Sequence, residues 1–142
     1  MKLVHHLLET KGREVITIAE DASVFDAIEL MADRSIGSLL VMQDQTLTGI
    51  VTERDYARKV ILKGRSAKNA LVGEIMSTEI MTATPQQTVR ECMTLMTERR
   101  IRHLPVVEND AVIGLISIGD LVKAIISEQQ EEIEQLEKYI SG

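Results

Sequence analysis

Gly114-Leu-Ile-Ser-Ile-Gly-Asp120 follows the same pattern as Gly49-Ile-Val-Thr-Glu-Arg-Asp55: a glycine, two branched apolar residues, a hydroxyl, two variable positions and an aspartate. The two stretches lie 65 residues apart, and at that offset Val15 to Ile61 aligns with Ile80 to Ile126 without a gap. Thr17/Thr82, Met31/Met96, Ile36/Ile101, Leu39/Leu104 and Val41/Val106 coincide in the same alignment. Self-similarity at a fixed offset is the signature of a duplicated structural unit. A unit of this size has a marginal core when alone. The two copies are therefore expected to pack face to face, each covering apolar surface that the other cannot bury.

The chain has 142 residues and a formal net charge of −6. That balance argues against general nucleic-acid binding, which needs basic surface. One phenylalanine, two tyrosines and no tryptophan leave no stacking platform for single strands. Cys92 is the only cysteine, which excludes an internal disulfide and a thiolate zinc site and suits a small buried apolar residue. No apolar run is long enough for a membrane span. The N-terminus carries His5, His6, Glu9 and Lys11 where a signal peptide needs an apolar region. A reducing cytoplasm is the expected compartment. His5 and His6 are adjacent on a helix and so point to different sides, which disfavours a shared metal.

Leu3, Val4, Leu7 and Leu8 have helical spacing that ends at Gly12. Val15 to Ile18 is β-branched and reads as a strand. Ser23-Val-Phe-Asp26 is a capping-box pattern opening a helix to about Arg34. Ile36 to Met42 and Leu47 to Thr52 read as strands around the turn Gln43-Asp44-Gln45, and Tyr56 to Lys63 as a helix with Ala57, Val60 and Ile61 on one face. The second copy repeats the order. A strand starts at Ile80, Thr88 to Glu91 caps a helix, and strands Leu104 to Val107 and Val112 to Ser117 flank Glu108-Asn-Asp110. A last helix starts at Asp120. Pro105 has no N–H and belongs at a strand start or on an edge.

The fold class that follows is mixed α/β (α+β): two tandem β-α-β-β-α repeats related by a pseudo-two-fold axis. The expected divisions are 1–64 (first repeat with its N-terminal helix), 65–79 (connector and lead-in helix), 80–127 (second repeat) and 128–142 (C-terminal amphipathic extension). Along the last helix into that extension, Ile126, Ile133, Leu136 and Ile140 form an a/d stripe. It either folds back on its own domain or packs on a second chain.

Thr52-x-x-Asp55 and Ser117-x-x-Asp120 each join a strand to a helix. The plain reading is a helix cap that complements the macrodipole. The sharper reading is a helix N-terminus, a hydroxyl and a carboxylate converging on a nucleoside, with N–H groups for phosphate and the carboxylate for ribose. Six cations (Arg54, Arg58, Lys59, Lys63, Arg65, Lys68) against two acids lie between Glu53 and Lys68, and Arg99, Arg100, Arg102 and His103 form a second cluster. Basic surface on an acidic protein suits an anionic small ligand, although a solvated helix face accounts for Lys59, Lys63 and Lys68 without one. Arg54 and Arg102 stand beside strand ends.

GIVTERDYARKVILKGRS (49–66), RIRHLPVV (100–107) and GLISIGDLVKAI (114–125) resemble the CBS-domain pair, or Bateman module, and in particular the small stand-alone CBS-pair proteins of bacteria and plant organelles. The resemblance spans about residues 3 to 130. It implies two clefts between paired sheets that bind AMP, ADP or ATP, or in other members S-adenosylmethionine or NAD. By that resemblance Asp55 and Asp120 hold ribose, with Thr52, Ser117 and Gly119 nearby. Thr17 and Thr82 lie near the base, Ile36 and Ile101 are apolar walls, and Arg102 and His103 face phosphate, with Pro105 beside them. In the first repeat Gly37 and Ser38 replace Arg102 and His103, and Arg54 serves that cleft. The implied function is non-enzymatic: an energy-sensing regulatory module that binds an adenosine nucleotide, modulates an unidentified partner protein and assembles as a homodimer. The implied ligand is regulatory and no catalytic cofactor is expected. The alternative is a ligand-free dimerisation scaffold. No Cys–His pairing, metal cluster, P-loop or Gly-x-Gly-x-x-Gly supports an enzyme.

Overall fold

Each repeat is built on an antiparallel hairpin with positive φ in its turn, at Asp44 in the first and at Asn109 and Asp110 in the second. The computed structural model describes residues 1–141. It divides into two units: residues 15–80, and residues 1–14 together with the chain from 81 onward. Six helices and two small sheets give the mixed α/β class expected.

In the unit 15–80, β1 (Thr17–Ala19) runs parallel to β2 (Ser38–Gln43), which pairs antiparallel with β3 (Thr46–Thr52). α2 (Val24–Arg34) starts at Ser23, whose hydroxyl accepts the Asp26 N–H at 3.0 Å. It ends at Ser35 in the left-handed region (φ 54°). Leu39 and Val41 of β2, which is buried along most of its length, Val51 of β3 and the helical stripe Val24, Ala27 and Met31 meet in one core. α3 (Glu53–Tyr56) continues into a π-helical turn, Ala57–Ile61. The Leu62 and Arg65 N–H groups reach back five residues, to Ala57 and Val60. This wider turn corrects the expected face: Val60 is buried, whereas Ala57 is exposed and Ile61 is 55% exposed. The short α4 (Val72–Ile75) closes the unit, with the Val72 N–H bonded to Ala22 O. Gly49 lies against it. A Cβ there would come within 2.5 Å of Met76 Sδ and 3.0 Å of Ser77 O.

The second unit repeats the plan. α5 (Val89–Arg99) is capped by Thr88 and Glu91 and ends at Arg100 with φ 55°, the counterpart of Ser35. β4 (His103–Glu108) pairs with β5 (Ala111–Ser117) through Asn109 and Asp110, with φ 52° and 64°, as a tight hairpin requires. Both hairpins carry a register shift at the same place, Val41/Met42 and Val106/Val107. The strand expected from Ile80 is reduced to one bridge between Ala83 and Val106. Pro105 explains the loss. At the equivalent position of the first unit, the Leu40 N–H donates to Ile16 O at 3.3 Å, a bond that proline cannot make. Pro105 lies mid-strand on that outer edge, where its carbonyl still accepts from Ala83.

α1 (Val4–Lys11) precedes the first repeat in sequence and packs on the second. Val4 N donates to Gln87 O, and Leu8 fills the space that a side chain at Gly114 would take, 2.6 Å from its Cβ. Val4, Leu8, Met96, Leu104 and Ile116 share this core. His5 and His6 do not point apart: their rings lie 4.0 Å from each other. His6 Nδ1 accepts the Leu3 N–H, and His5 lies 3.5 Å from Glu9. Cys92 is buried, and burial followed by the Glu91 charge pushes its thiol up to about 11. α6 (Ile118–Ser141) is continuous over 24 residues. Lys2 and Arg90 tie its first half down through Ser127 and Glu128, and its end does not fold back, since residues 131–141 are exposed throughout. Among the described residues no helix is long and apolar enough to cross a membrane.

Candidate functional site

The same local chemistry places one aspartate in each unit. Thr52 ends β3 opposite Ser38, and its hydroxyl accepts the Asp55 N–H at 3.1 Å. Asp55 Oδ2 accepts in return from the Thr52 N–H at 3.0 Å and from its hydroxyl at 3.1 Å. The Glu53 N–H donates to Gly37 O at 3.1 Å, which holds the helix start against the segment entering β2. Ile36, Gly37, Ser38, Thr52, Arg54 and Asp55 therefore share one end of the sheet. Thr17 stands at that end too, because β1 is parallel to β2 and Thr17 pairs with Leu40. Arg54 is exposed, Ile36 and Gly37 are half-buried, and Ser38 is buried. Lys59 reaches both Asp55 Oδ1, at 3.3 Å, and Ile75 O, at 2.8 Å.

Asp120 repeats the arrangement with a different cation. Its Oδ2 accepts the Ser117 N–H at 2.8 Å, and its own N–H donates to Ser117 Oγ at 3.1 Å. Lys11, from the end of α1, donates at 2.5 Å to Asp120 Oδ2 and at 2.5 Å to Leu115 O. Burial alone would raise the Asp120 carboxyl, but the Lys11 ammonium and the Ser117 donors outweigh it and hold it below the usual carboxylate value. His103 faces Ser117 across the hairpin. Burial first, then the Lys11 and Arg102 charges, lower its pKa against the opposing pull of Asp120, so His103 is neutral at pH 7. Arg102 is exposed, and its carbonyl accepts the Ile118 N–H at 2.9 Å. Ile101 is half-buried, and Thr82 and Gly119 are exposed. Pro105 is buried inside β4, two residues along the strand from His103.

Lys11 is the member of this cluster that sequence reasoning missed. Its local signal, a cation in the last turn before Gly12, also fits simple dipole complementation. The basic run after β3 divides on inspection. Lys59 pairs with Asp55, Arg65 bonds Glu74 at 2.8 Å, and Lys68 lies 5.2 Å over the Phe25 ring. Three of the six cations thus have partners within their own unit. Among the described residues, no three His, Cys, Asp or Glu side chains are grouped to hold a metal ion.

The model of the CBS domain matches the chain twice, over residues 10–62 and 72–127. A mitochondrial CBS domain-containing protein of Arabidopsis thaliana is 40% identical over 98% of this chain and 72% of its own length. A solved protein with CBS domains from Burkholderia ambifaria is 50% identical, with a TM-score of 0.87 over 90% of this chain and 96% of that one. The fold is also that of a CBS domain pair solved in complex with 5′-methylthioadenosine and S-adenosyl-L-methionine, at 23% identity and a TM-score of 0.80 over 90% of this chain and 98% of that one. With both repeats matched, in order and over most of the sequence, the chain belongs to the CBS-domain family.

Proposed function

We propose that this protein is a non-enzymatic regulatory module that binds adenosine nucleotides, AMP, ADP or ATP, at the sheet ends carrying Asp55 and Asp120, and passes the bound state to a partner protein. The observation that carries the reading is the cluster at Asp120. A carboxylate, a hydroxyl and a helix N-terminus stand together there, beside the cations Lys11 and Arg102 and the neutral His103. A ribose diol donates two hydrogen bonds to a carboxylate. When it does so at Asp120 it displaces the Lys11 ammonium, which is then free for phosphate. Ile101 offers an aliphatic surface for the base, in keeping with the scarcity of aromatic residues.

The cluster at Asp55 favours a less anionic form of the same ligand. Gly37 and Ser38 stand where Arg102 and His103 stand in the other repeat, and Glu53 adds negative charge. An adenosine thioether or sulfonium, the class bound by the pair of 23% identity, suits that end better than a triphosphate.

A thermal-shift series with AMP, ADP, ATP, GTP, S-adenosylmethionine and NAD tests the reading, since a ligand that binds only the folded state raises the melting temperature by mass action. The expected result is a rise with adenosine nucleotides that exceeds the rise with GTP. No rise with any of them would leave the ligand-free scaffold as the function.

A further inference from the structure

The exposed face of α6 is a heptad seam. Val122, Ile126, Gln129, Ile133, Leu136 and Ile140 follow steps of four and three without interruption. Four of them are large apolar residues left 48–82% exposed (Ile126, Ile133, Leu136, Ile140), and Val122 is 43% exposed. Such a seam has one common occupant, a second helix of the same kind. The charges beside it decide the orientation. Parallel pairing sets Glu132 against the partner's Glu137 at both flanks, and like charges there are unfavourable. Its one advantage is that Gln129 meets the partner's Gln129. Antiparallel pairing stacks Val122 on the partner's Ile140, Ile126 on the partner's Leu136 and Gln129 on the partner's Ile133, each layer occurring twice. It sets Lys123 against the partner's Glu137 at both flanks and leaves one Glu132 pair at the centre. Two attractive pairs replace two repulsive ones.

We infer that α6 is an interface for a second copy of this chain, joined helix to helix in antiparallel register about residue 131. The inference does not depend on nucleotide binding.

Cysteine cross-linking of the full chain tests it. Cys92 is buried and does not compete. Ile126 and Leu136 are exposed, so replacing them leaves the core intact. They lie about 15 Å apart along one helix, too far for a disulfide within a chain. The Ile126→Cys/Leu136→Cys double variant is expected to form a disulfide-linked species of twice the 15.8 kDa chain mass on mild oxidation, while neither single variant does so. Val122→Cys/Ile140→Cys is expected to behave the same way and guards against a local defect in the first pair. Cross-linking of the single variants would establish the parallel arrangement and overturn the inference. Absence of cross-linking in both double variants would overturn the interface itself.

Discussion

Asp120 and Asp55 serve as helix caps in the structure, and a ribose contact would add a second duty that a single substitution separates from the first. Loss of the cap costs about 1 kcal/mol of stability and leaves affinity alone. Loss of a charge-assisted hydrogen bond to ribose costs roughly 1.5–3 kcal/mol of binding, about 10- to 100-fold. Asp120→Ala and Asp55→Ala are expected to weaken AMP and ATP binding by that amount in calorimetric titration. The loss should be greater for Asp120→Ala, because Arg102, His103 and Lys11 stand beside it. Variants that bind like wild type while melting lower would leave capping as the only role. His103 supplies an independent signal. Its pKa is lowered in the folded chain from 6.5, so the unfolded state binds the proton more readily. Its contribution to stability is complete above pH 6.5 and is lost as pH falls toward its folded value. Asp120, also lowered, extends the same trend further into acid. The urea midpoint is expected to fall from pH 7 to pH 5, and His103→Gln should flatten that part of the profile.

The elements are held together by close approaches that only glycine allows. A Cβ at Gly114 would stand 2.6 Å from Leu8 Cδ2, and one at Gly49 2.5 Å from Met76 Sδ with Ser77 O at 3.0 Å. Overpacking of this kind costs about 1–3 kcal/mol. Gly114→Ala and Gly49→Ala are each expected to lower the urea unfolding free energy by that amount, and Leu8→Ala by about 2–5 kcal/mol. Both repeats, both hairpins and the caps at Ser23, Thr88, Thr52 and Ser117 were legible in the sequence, because each rests on local pattern. The edge position expected for Pro105 also holds, while the strand it costs lies around Ala83, too far along the chain for local pattern to show. Three further features were not legible. The packing of α1 on the second repeat, as in Val4 on Gln87, and the reach of Lys11 to Asp120, 109 residues away, join distant parts of the chain and leave no local trace. The π turn at Ala57–Ile61 interrupts a segment whose periodicity reads as ordinary helix. Ile36, Gly37, Ser38, Thr52, Arg54 and Asp55 fall at one strand end because a hairpin and the helix that follows it fix their neighbours.

At the scale of the whole molecule, apolar surface remains uncovered. Phe25, Leu62, Ile133 and Leu136 are 41%, 77%, 48% and 62% exposed. A second copy is the economical cover, and light scattering at micromolar concentration is expected to give a mass near twice 15.8 kDa. A mass of one chain would reject the dimer. The absence of turnover is the prediction that bears most directly on regulation. Phosphoryl transfer needs charge placed on the moving phosphoryl, usually by a metal, and a base aimed at the attacking water. The aspartates at the two sheet ends are engaged in the structure. Asp55 is held by Thr52 and Lys59, and Asp120 by Ser117 and Lys11. An aspartate that accepts from the start of its helix and, with ligand bound, from a ribose diol is a weak base and a poor magnesium ligand. ATP incubated with the purified protein and magnesium is therefore expected to be recovered intact. ADP release at or above one equivalent per chain, abolished in Asp120→Ala and preserved through repurification, would instead make this protein an ATPase.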